Sequence, residues 1–316
     1  MKRSIKYILA LFLIGAVIGT VMADEIRREN VRENVPSEKT KEEITEDVKE
    51  NIVLKISLPK VPSEVFALKI EDENIDTQRS KKIAEDILGL GIATKNIEDK
   101  KLENGRGIVL TDKNNEEAEI TIYKRGQLRY LSGKEWNEKY RQDDMLGEEQ
   151  AKDKALGYVN KLVGEDLLTK SMVDSSKLEV AYDEIYTYDS RNGKIEKYVS
   201  NQHVNLETSY DGIPLRGAGA KVRVYLGKGG VVTGVLNFVG KIKSDKKVSV
   251  ITPQEAVDKL KADGYKNMDI ESMEFVYYVP PLHEDVNYIY PAYDIKGKIH
   301  MRGSDIGFAQ MIPATK

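Results

Sequence analysis

The stretch from Tyr210 to Ile242 (YDGIPLRGAGAKVRVYLGKGGVVTGVLNFVGKI) constrains the fold more than any other part of the chain. Between Ala218 and Leu226, apolar residues alternate with Gly, Lys, Arg and Tyr, which is the period of a strand with one buried face. The glycines at 227–230 then predict a reversal of the chain. The return run Val231 to Ile242 is apolar on both faces, as in an inner strand covered on both sides. The stretch therefore predicts two paired strands within an antiparallel sheet.

Helices with a capping residue and an apolar stripe are predicted to start near residues 77, 148 and 252. The clearest start is Thr252-Pro253-Gln254-Glu255, where Thr252 and Glu255 can cap each other's backbone amides. Strand patterns follow each helix. The chain is therefore predicted to be α+β, built from tandem units of one helix packed on a small antiparallel β-sheet. The predicted domains span residues 52–146, 147–247 and 248–316.

The first fifty residues predict that the protein is located outside the cytoplasm. A basic start, a short apolar run and the small residues Val21 and Ala23 predict a signal peptide over residues 1–23, or an N-terminal anchor if it is retained. More than half of the residues in 24–50 are charged, which predicts a solvated linker. The chain has no cysteine, so disulfides and thiol nucleophiles are excluded. We predict a protein that is secreted or anchored by this segment.

Three stretches resemble the PepSY domain and the propeptide domain of secreted thermolysin-type proteases. They are EEQAKDKALGYVNKLVG at Glu148–Gly164, TPQEAVDKLKADG at Thr252–Gly264, and the stretch from Tyr210, in which Tyr210, Gly212, Pro214 and Gly217 fit the family pattern. The layout of an N-terminal membrane segment followed by tandem outside domains is also similar to the YycH and YycI regulators of a sensor kinase. The resemblance implies a PepSY- or cystatin-like fold and a role in inhibiting, chaperoning or regulating another protein. In the proteases a catalytic domain follows the propeptide, and these 316 residues contain none.

No residue pattern predicts a catalytic, cofactor or metal site. A zinc peptidase needs two histidines one helical turn apart with a glutamate between them, and the string from His283 to Asn287 lacks the second histidine. A three-histidine site would need His203, His283 and His300, the only histidines in the chain, to converge in the fold. The glycine-rich strings do not precede a helix, so a phosphate loop is not predicted either. The net charge of −3 argues against nucleic acid as a partner.

A cluster of tyrosines around Pro280, Pro281 and Pro291 is the best candidate for a binding surface. Tyrosine offers rigid contact area with a polar tip and is common in interfaces. The candidate partner-binding residues are Tyr277, Tyr278, His283, Tyr288, Tyr290 and Tyr293. The alternative is that these tyrosines only pack across adjacent strands.

The sequence as a whole predicts an exported, non-enzymatic protein that binds another extracytoplasmic protein or peptide. It predicts no cofactor, no nucleic acid partner, and membrane contact only through an uncleaved N-terminal segment. Two alternatives stay open at this point. The first is an extracytoplasmic hydrolase whose carboxylates converge only in the fold, and the second is a structural component of the envelope.

Overall fold

The computed structural model describes residues 51–73, 75–90, 92–102, 105–112, 117–133, 138–191, 193–284, 286–301 and 304–316. The predicted leader (1–23) and linker (24–50) lie outside these residues, as do Asn192 and Asp285. Within the described ranges, no helix has both the length and the apolar character needed to cross a membrane.

The chain is mostly β, so the predicted α+β architecture of tandem helix-on-sheet units is wrong. The described residues form sixteen strands in two large sheets, strands make up 49% of the structure, and there are four α-helices. The helices are α1 (Thr77–Leu88), α2 (Glu148–Gly164), α3 (Lys170–Asp174) and α4 (Pro253–Ala262). The strands are β1 (Ile52–Leu54), β2 (Glu64–Ile70), β3 (Ile92–Leu102), β4 (Gly105–Asp112), β5 (Glu119–Tyr123), β6 (Leu128–Leu131), β7 (Lys177–Asp189), β8 (Lys194–Glu207), β9 (Ser209–Tyr210), β10 (Ile213–Arg216), β11 (Val222–Leu226), β12 (Val232–Asn237), β13 (Ile242–Ser249), β14 (Met268–Tyr278), β15 (Tyr288–Met301) and β16 (Ser304–Pro313).

Strand pairing between distant segments explains why the predicted architecture fails. One sheet has the order β3-β4-β5-β6-β12-β11-β8-β7, so the meander after α1 and the meander after α2 form a single sheet. Its two parts join where β6 pairs antiparallel with β12, from Leu128↔Asn237 to Leu131↔Gly234. An unpaired strand edge exposes backbone donors and acceptors, and this junction satisfies them. The helices of both predicted units consequently share one sheet.

The chain divides into two compact units made of discontinuous stretches, whereas consecutive domains were predicted. The larger unit comprises residues 66–246 and 277–289, and the smaller unit comprises 51–65, 247–276 and 290–316 among the described residues. The larger unit contains the sheet just described, with α1 and α2 against it. Their buried stripes, which include Ile83 and Ile87 on α1 and Ala155 and Val159 on α2, belong to its core.

The smaller unit packs α4 with strands from the second sheet. The predicted cap of α4 is confirmed: Thr252 Oγ1 accepts from the Glu255 amide at 3.2 Å, and Glu255 accepts from the Thr252 amide at 2.5 Å. In the same unit, β15 pairs antiparallel with β16 along ten residues, and β1 pairs parallel with β14. Its core includes Val257, Leu260, Ile270, Tyr293, Ile295 and Phe308.

The stretch from Tyr210 to Ile242 forms both predicted strands, but each is shorter than predicted. β12 lies between β6 and β11, which confirms the inner position, although it ends at Asn237 rather than at Ile242. The first strand, β11, begins at Val222 instead of Ala218. The preceding residues form a 3₁₀ turn over Ala218–Ala220, entered through Gly217 at φ 113°. Only glycine adopts that φ readily, so the alternating pattern does not continue as a strand there.

His300 in the smaller unit predicts a pH-dependent contribution to stability. Its Nδ1–H donates to Asp305 at 2.9 Å, and its Nε2 lies 3.4 Å from Asp269, which Lys55 also contacts at 3.4 Å. The hydrogen bonds to Asp305 and Asp269 raise the His300 pKa above its ordinary 6.5. The stabilisation is therefore present below pH 6.5 and is lost as pH rises through the raised pKa.

This dependence is expected to be small because the His300 side chain is 38% exposed. We expect the free energy of unfolding to fall by less than about 1 kcal/mol as His300 loses its proton. Urea denaturation at pH values below and above the His300 pKa measures this difference. His300→Gln should remove this step while leaving stability at high pH nearly unchanged. An equal step in the variant would contradict the assignment to His300.

Candidate functional site

A loop that contains Pro280 and Pro281 forms one wall of a cleft in the larger unit. We call it the proline loop, and it runs from Val279 to Asn287. Strand β14 ends just before it, because the prolines lack the backbone donor that a continuing strand would need. Inside the loop, the Glu284 amide donates to the Pro281 carbonyl at 2.9 Å. The loop is thus a short, turned excursion between β14 and β15.

Two glycines, Gly217 and Gly219, allow the start of the proline loop to pack closely against β10 and the turn that follows it. The Val279 amide donates to the Arg216 carbonyl at 2.8 Å, and the Gly219 amide donates to the Val279 carbonyl at 3.1 Å. A Cβ atom at Gly219 would lie 2.1 Å from the Pro280 carbonyl oxygen, and one at Gly217 would lie 2.4 Å from the Val279 oxygen. Both positions therefore need glycine so that the two backbones can approach this closely.

The far end of the proline loop is held by Arg125. This residue lies in the turn between β5 and β6, which pair antiparallel as a hairpin. Its guanidinium donates to the Val286 carbonyl and, at 2.8 Å, to Asn287 Oδ1. The planar fork of an arginine suits such a two-point contact. The loop is consequently fixed at both ends.

The cleft beside the loop is small, and both apolar and polar side chains line it. Its volume is about 190 Å³. Exposed Asp72 and Glu284 lie with Lys124 and Arg125 among its polar residues. The residues that line it are Ile70, Asp72, Tyr123, Lys124, Arg125, Gln127, Phe238, Val279, Pro280, Pro281, Leu282, Glu284 and Val286. A small cleft that combines apolar side chains with charged groups of both signs has the composition of a side-chain-binding pocket.

Ion pairs next to the cleft fix the end of β2. Lys241 contacts Asp166 at 2.5 Å and Glu71 at 3.3 Å, and Lys243 also pairs with Glu71. The hydrogen bond from Lys243 lowers the pKa of Glu71, and the bond to Asp166 raises the pKa of Lys241. Each of these charges therefore has a partner within the unit, and they support the cleft rather than offering groups to a ligand.

Two of the predicted binding tyrosines are core residues. Tyr277 is 2% exposed, and its hydroxyl donates to the Phe66 carbonyl at 2.7 Å within the larger unit. Tyr293 is fully buried in the smaller unit, where its hydroxyl donates to the Ile251 carbonyl at 2.6 Å. Burial raises the pKa of each to about 12. Neither side chain is available to a partner in this structure.

The other four predicted residues are more accessible. Tyr278 and Tyr288 are half-buried in the larger unit, and the Tyr288 hydroxyl donates to Asp245 at 2.9 Å. His283 is exposed on the proline loop, and Tyr290 is 38% exposed in the smaller unit. The structure thus brings only His283 onto the loop itself, and none of the six predicted residues is among those that line the cleft.

Sequence reasoning missed the residues that shape the cleft. Phe238 follows an apolar strand and was counted as part of it, whereas it lines the cleft after β12 has ended. The residues around Arg125 carry no local signal for the loop that it binds, because that loop is 161 residues away in sequence.

The described residues offer no arrangement for metal chemistry. Within them, no three His, Asp or Glu side chains are grouped so that they could hold a metal ion. Asp183 and His203 face each other across β7 and β8 at 3.4 Å, but they are two groups without a third.

Comparison with known proteins gives little similarity. No protein-family model matches the chain, and no curated protein matches it. Among solved structures, an uncharacterized protein from Eubacterium rectale ATCC 33656 is 12% identical, with a TM-score of 0.45, and the alignment covers 82% of this chain and 84% of that one. Similarity at this level supports no argument about fold or function. The resemblance to PepSY domains and to YycH and YycI stays a prediction.

Proposed function

We propose that the chain is an exported, non-enzymatic protein that binds another extracytoplasmic protein, and that the cleft at the proline loop receives one apolar side chain from an extended segment of that partner. The observation that carries this proposal is the cleft itself, which is lined by apolar and charged side chains and has a wall fixed at both ends. Such a preorganised pocket binds without a large cost of ordering.

The size of the cleft decides between a side chain and a larger ligand. Pockets for drug-sized molecules and cofactors occupy roughly 300–1,000 Å³. This cleft, at about 190 Å³, is smaller than that range and suits one leucine- or phenylalanine-sized group. Anchoring of a single apolar residue in a pocket with a polar rim is the usual core of a protein-binding site.

The hydrolase alternative has less support from this geometry. A carboxylate that serves as general acid or base is generally tuned by burial or by a close charged neighbour. The two carboxylates at the cleft, on Asp72 and Glu284, are both exposed. The rim therefore favours charge recognition of a partner over acid–base catalysis.

A peptide selection tests this function directly. We expect peptides selected from a random phage library on the immobilised full-length chain to share a single apolar anchor residue. Leu282→Lys places a charge on the cleft wall and should weaken such a peptide tenfold or more, which is about 1.4 kcal/mol. Binding is measured by fluorescence anisotropy with the selected peptide.

Val231→Lys provides the matched control, because Val231 is 55% exposed and does not line the cleft. It should leave the affinity within about twofold, and both variants should unfold at the wild-type urea concentration. If no peptide is selected, or if Leu282→Lys binds as well as Val231→Lys, the cleft is not the binding site.

A further inference from the structure

The outer half of the β7–β8 hairpin carries exposed tyrosine and isoleucine side chains. One of its two strands, β7, is a long strand at the edge of the sheet. We call this part the hairpin arm, and it comprises Glu184–Asp189 of β7 and Lys194–Tyr198 of β8. Tyr186, Tyr188 and Ile195 are 62%, 67% and 70% exposed, and Tyr188 lies directly opposite Ile195 in the register. β7 is the last strand of its sheet, and no further described strand pairs with it.

Natural proteins usually protect such an edge with lysine, proline or a bulge. The arm has a register shift between Asp183 and Glu184, but it lies where the arm begins and not along it. Beyond this point the edge reads Glu184-Ile-Tyr-Thr-Tyr-Asp189, which contains neither lysine nor proline and is rich in residues that favour strands. An unprotected edge of this composition is suited to pairing with another strand.

The orientation of the backbone amides and carbonyls of β7 shows which residues could hydrogen-bond to a partner strand. The Gly193 amide donates to the Asp189 carbonyl at 2.9 Å, so the Asp189 carbonyl points towards β8. Backbone groups alternate in direction along an antiparallel strand. The amides and carbonyls of Tyr188 and Tyr186 therefore point away from β8, towards the open edge.

The two carboxylates of β7 in the arm have basic partners beside them. Glu184 pairs with Lys197 at 2.6 Å, and Asp189 pairs with Arg191 at 3.1 Å. The Lys197 bond lowers the pKa of Glu184, which keeps this carboxylate ionised and paired. The β7 edge of the arm thus presents tyrosines and paired carboxylates, so the approach of a second identical edge meets little repulsion.

We propose that two copies of this chain associate by antiparallel pairing of their β7 edges, centred on Thr187. In this register each Tyr186 lies opposite Tyr188 of the second copy, and each Thr187 lies opposite its counterpart. Asp183 then lies opposite Arg191, so no like charges oppose each other. Aromatic pairs and opposite charges across strands are favourable, and a two-fold axis satisfies both edges at once.

The contact is small, so the dimer is weak, with a Kd of roughly 10–100 µM. Sedimentation equilibrium of the full-length chain over a range of concentrations measures it. The double variant Tyr186→Lys/Tyr188→Lys sets lysine opposite lysine twice and should weaken the dimer at least tenfold. Tyr186→Lys/Tyr188→Glu sets lysine opposite glutamate twice and should restore it.

The two double variants change the same exposed positions, so both should unfold at the same urea concentration as the wild type. A chain that stays monomeric at about 500 µM would overturn the proposal, because a dimer of that affinity would be populated there. A dimer that the lysine pair does not weaken, or that the lysine–glutamate pair does not restore, would also overturn this register.

Discussion

Gly219→Ala is expected to destabilise the protein by about 3 kcal/mol and to abolish binding at the proline-loop cleft. The added Cβ would lie 2.1 Å from the Pro280 carbonyl oxygen and 2.8 Å from Val279 Cγ1. One contact is with backbone, so a side-chain rotation cannot relieve it. The loop must move away, and the hydrogen bond from the Gly219 amide to Val279 is lost with it. Urea denaturation measures the first effect, and affinity for the selected peptide measures the second.

Gly157→Ala is the matched control for this substitution. Gly157 lies in α2, and a Cβ there would meet nothing within 4 Å. Alanine in a helix interior is favoured over glycine by about 0.5–1 kcal/mol, so this variant should be slightly more stable than the wild type. A Gly219→Ala protein with wild-type stability would show that the loop does not depend on its close approach to the 3₁₀ turn.

Local signals were sufficient to predict the three longer helices, whereas the five-residue helix α3 was not predicted. The helix predicted to start near residue 77 is capped by Asp76, whose carboxylate accepts from the Arg79 amide at 2.8 Å. Gly89 ends the same helix in the left-handed conformation that glycine adopts readily. Caps and stripes act over a few residues, so a single sequence contains all of the information that they need.

The arrangement of the strands was not predictable in the same way. A period of two identifies a strand and its buried face, but it does not select the neighbouring strand. In the sequence, β6 is the last strand of the meander that follows α1. Only the fold shows that the open edge of β6 pairs with β12. The prediction of one small sheet per helix assumed that strands pair with their neighbours in sequence. The eight-stranded sheet instead forms because segments about a hundred residues apart are hydrogen-bonded to each other.

The candidate site was predictable in part. The prolines at 280 and 281 did indicate a loop, and this loop forms a wall of the cleft. The tyrosines near this loop did not indicate which residues line the cleft. Side chains alternate between the two faces of a strand, and some of these tyrosines therefore point into the core. The alternating pattern places Gly219 within a strand, whereas in the structure it lies in a 3₁₀ turn and permits a close backbone approach to the loop. Such long-range roles depend on tertiary contacts that no local pattern contains.

Tyr293→Ala should destabilise the protein by about 3–5 kcal/mol, as for other large aromatic residues removed from a core. Tyr293 is fully buried, its ring lies 5.5 Å from that of Phe275, and its hydroxyl donates to Ile251. Tyr293→Phe removes only the hydroxyl and should cost about 1–2 kcal/mol, because a buried carbonyl loses its donor. If Tyr293 served mainly to bind a partner, truncation would reduce affinity and leave the free energy of unfolding nearly unchanged.

Tyr290→Ala and the pH dependence of unfolding separate these two roles. Tyr290 is 38% exposed, so its truncation should change stability by less than about 1 kcal/mol. Burial raises the Tyr293 pKa from 10.0 to about 12, so the folded state holds this proton more tightly than the unfolded state does. Stability should therefore fall as pH rises from 10 towards 12, and Tyr293→Phe should make that fall less steep. An unchanged slope in the phenylalanine variant, measured by urea denaturation at pH 9, 10 and 11, would contradict the buried, hydrogen-bonded role of this hydroxyl.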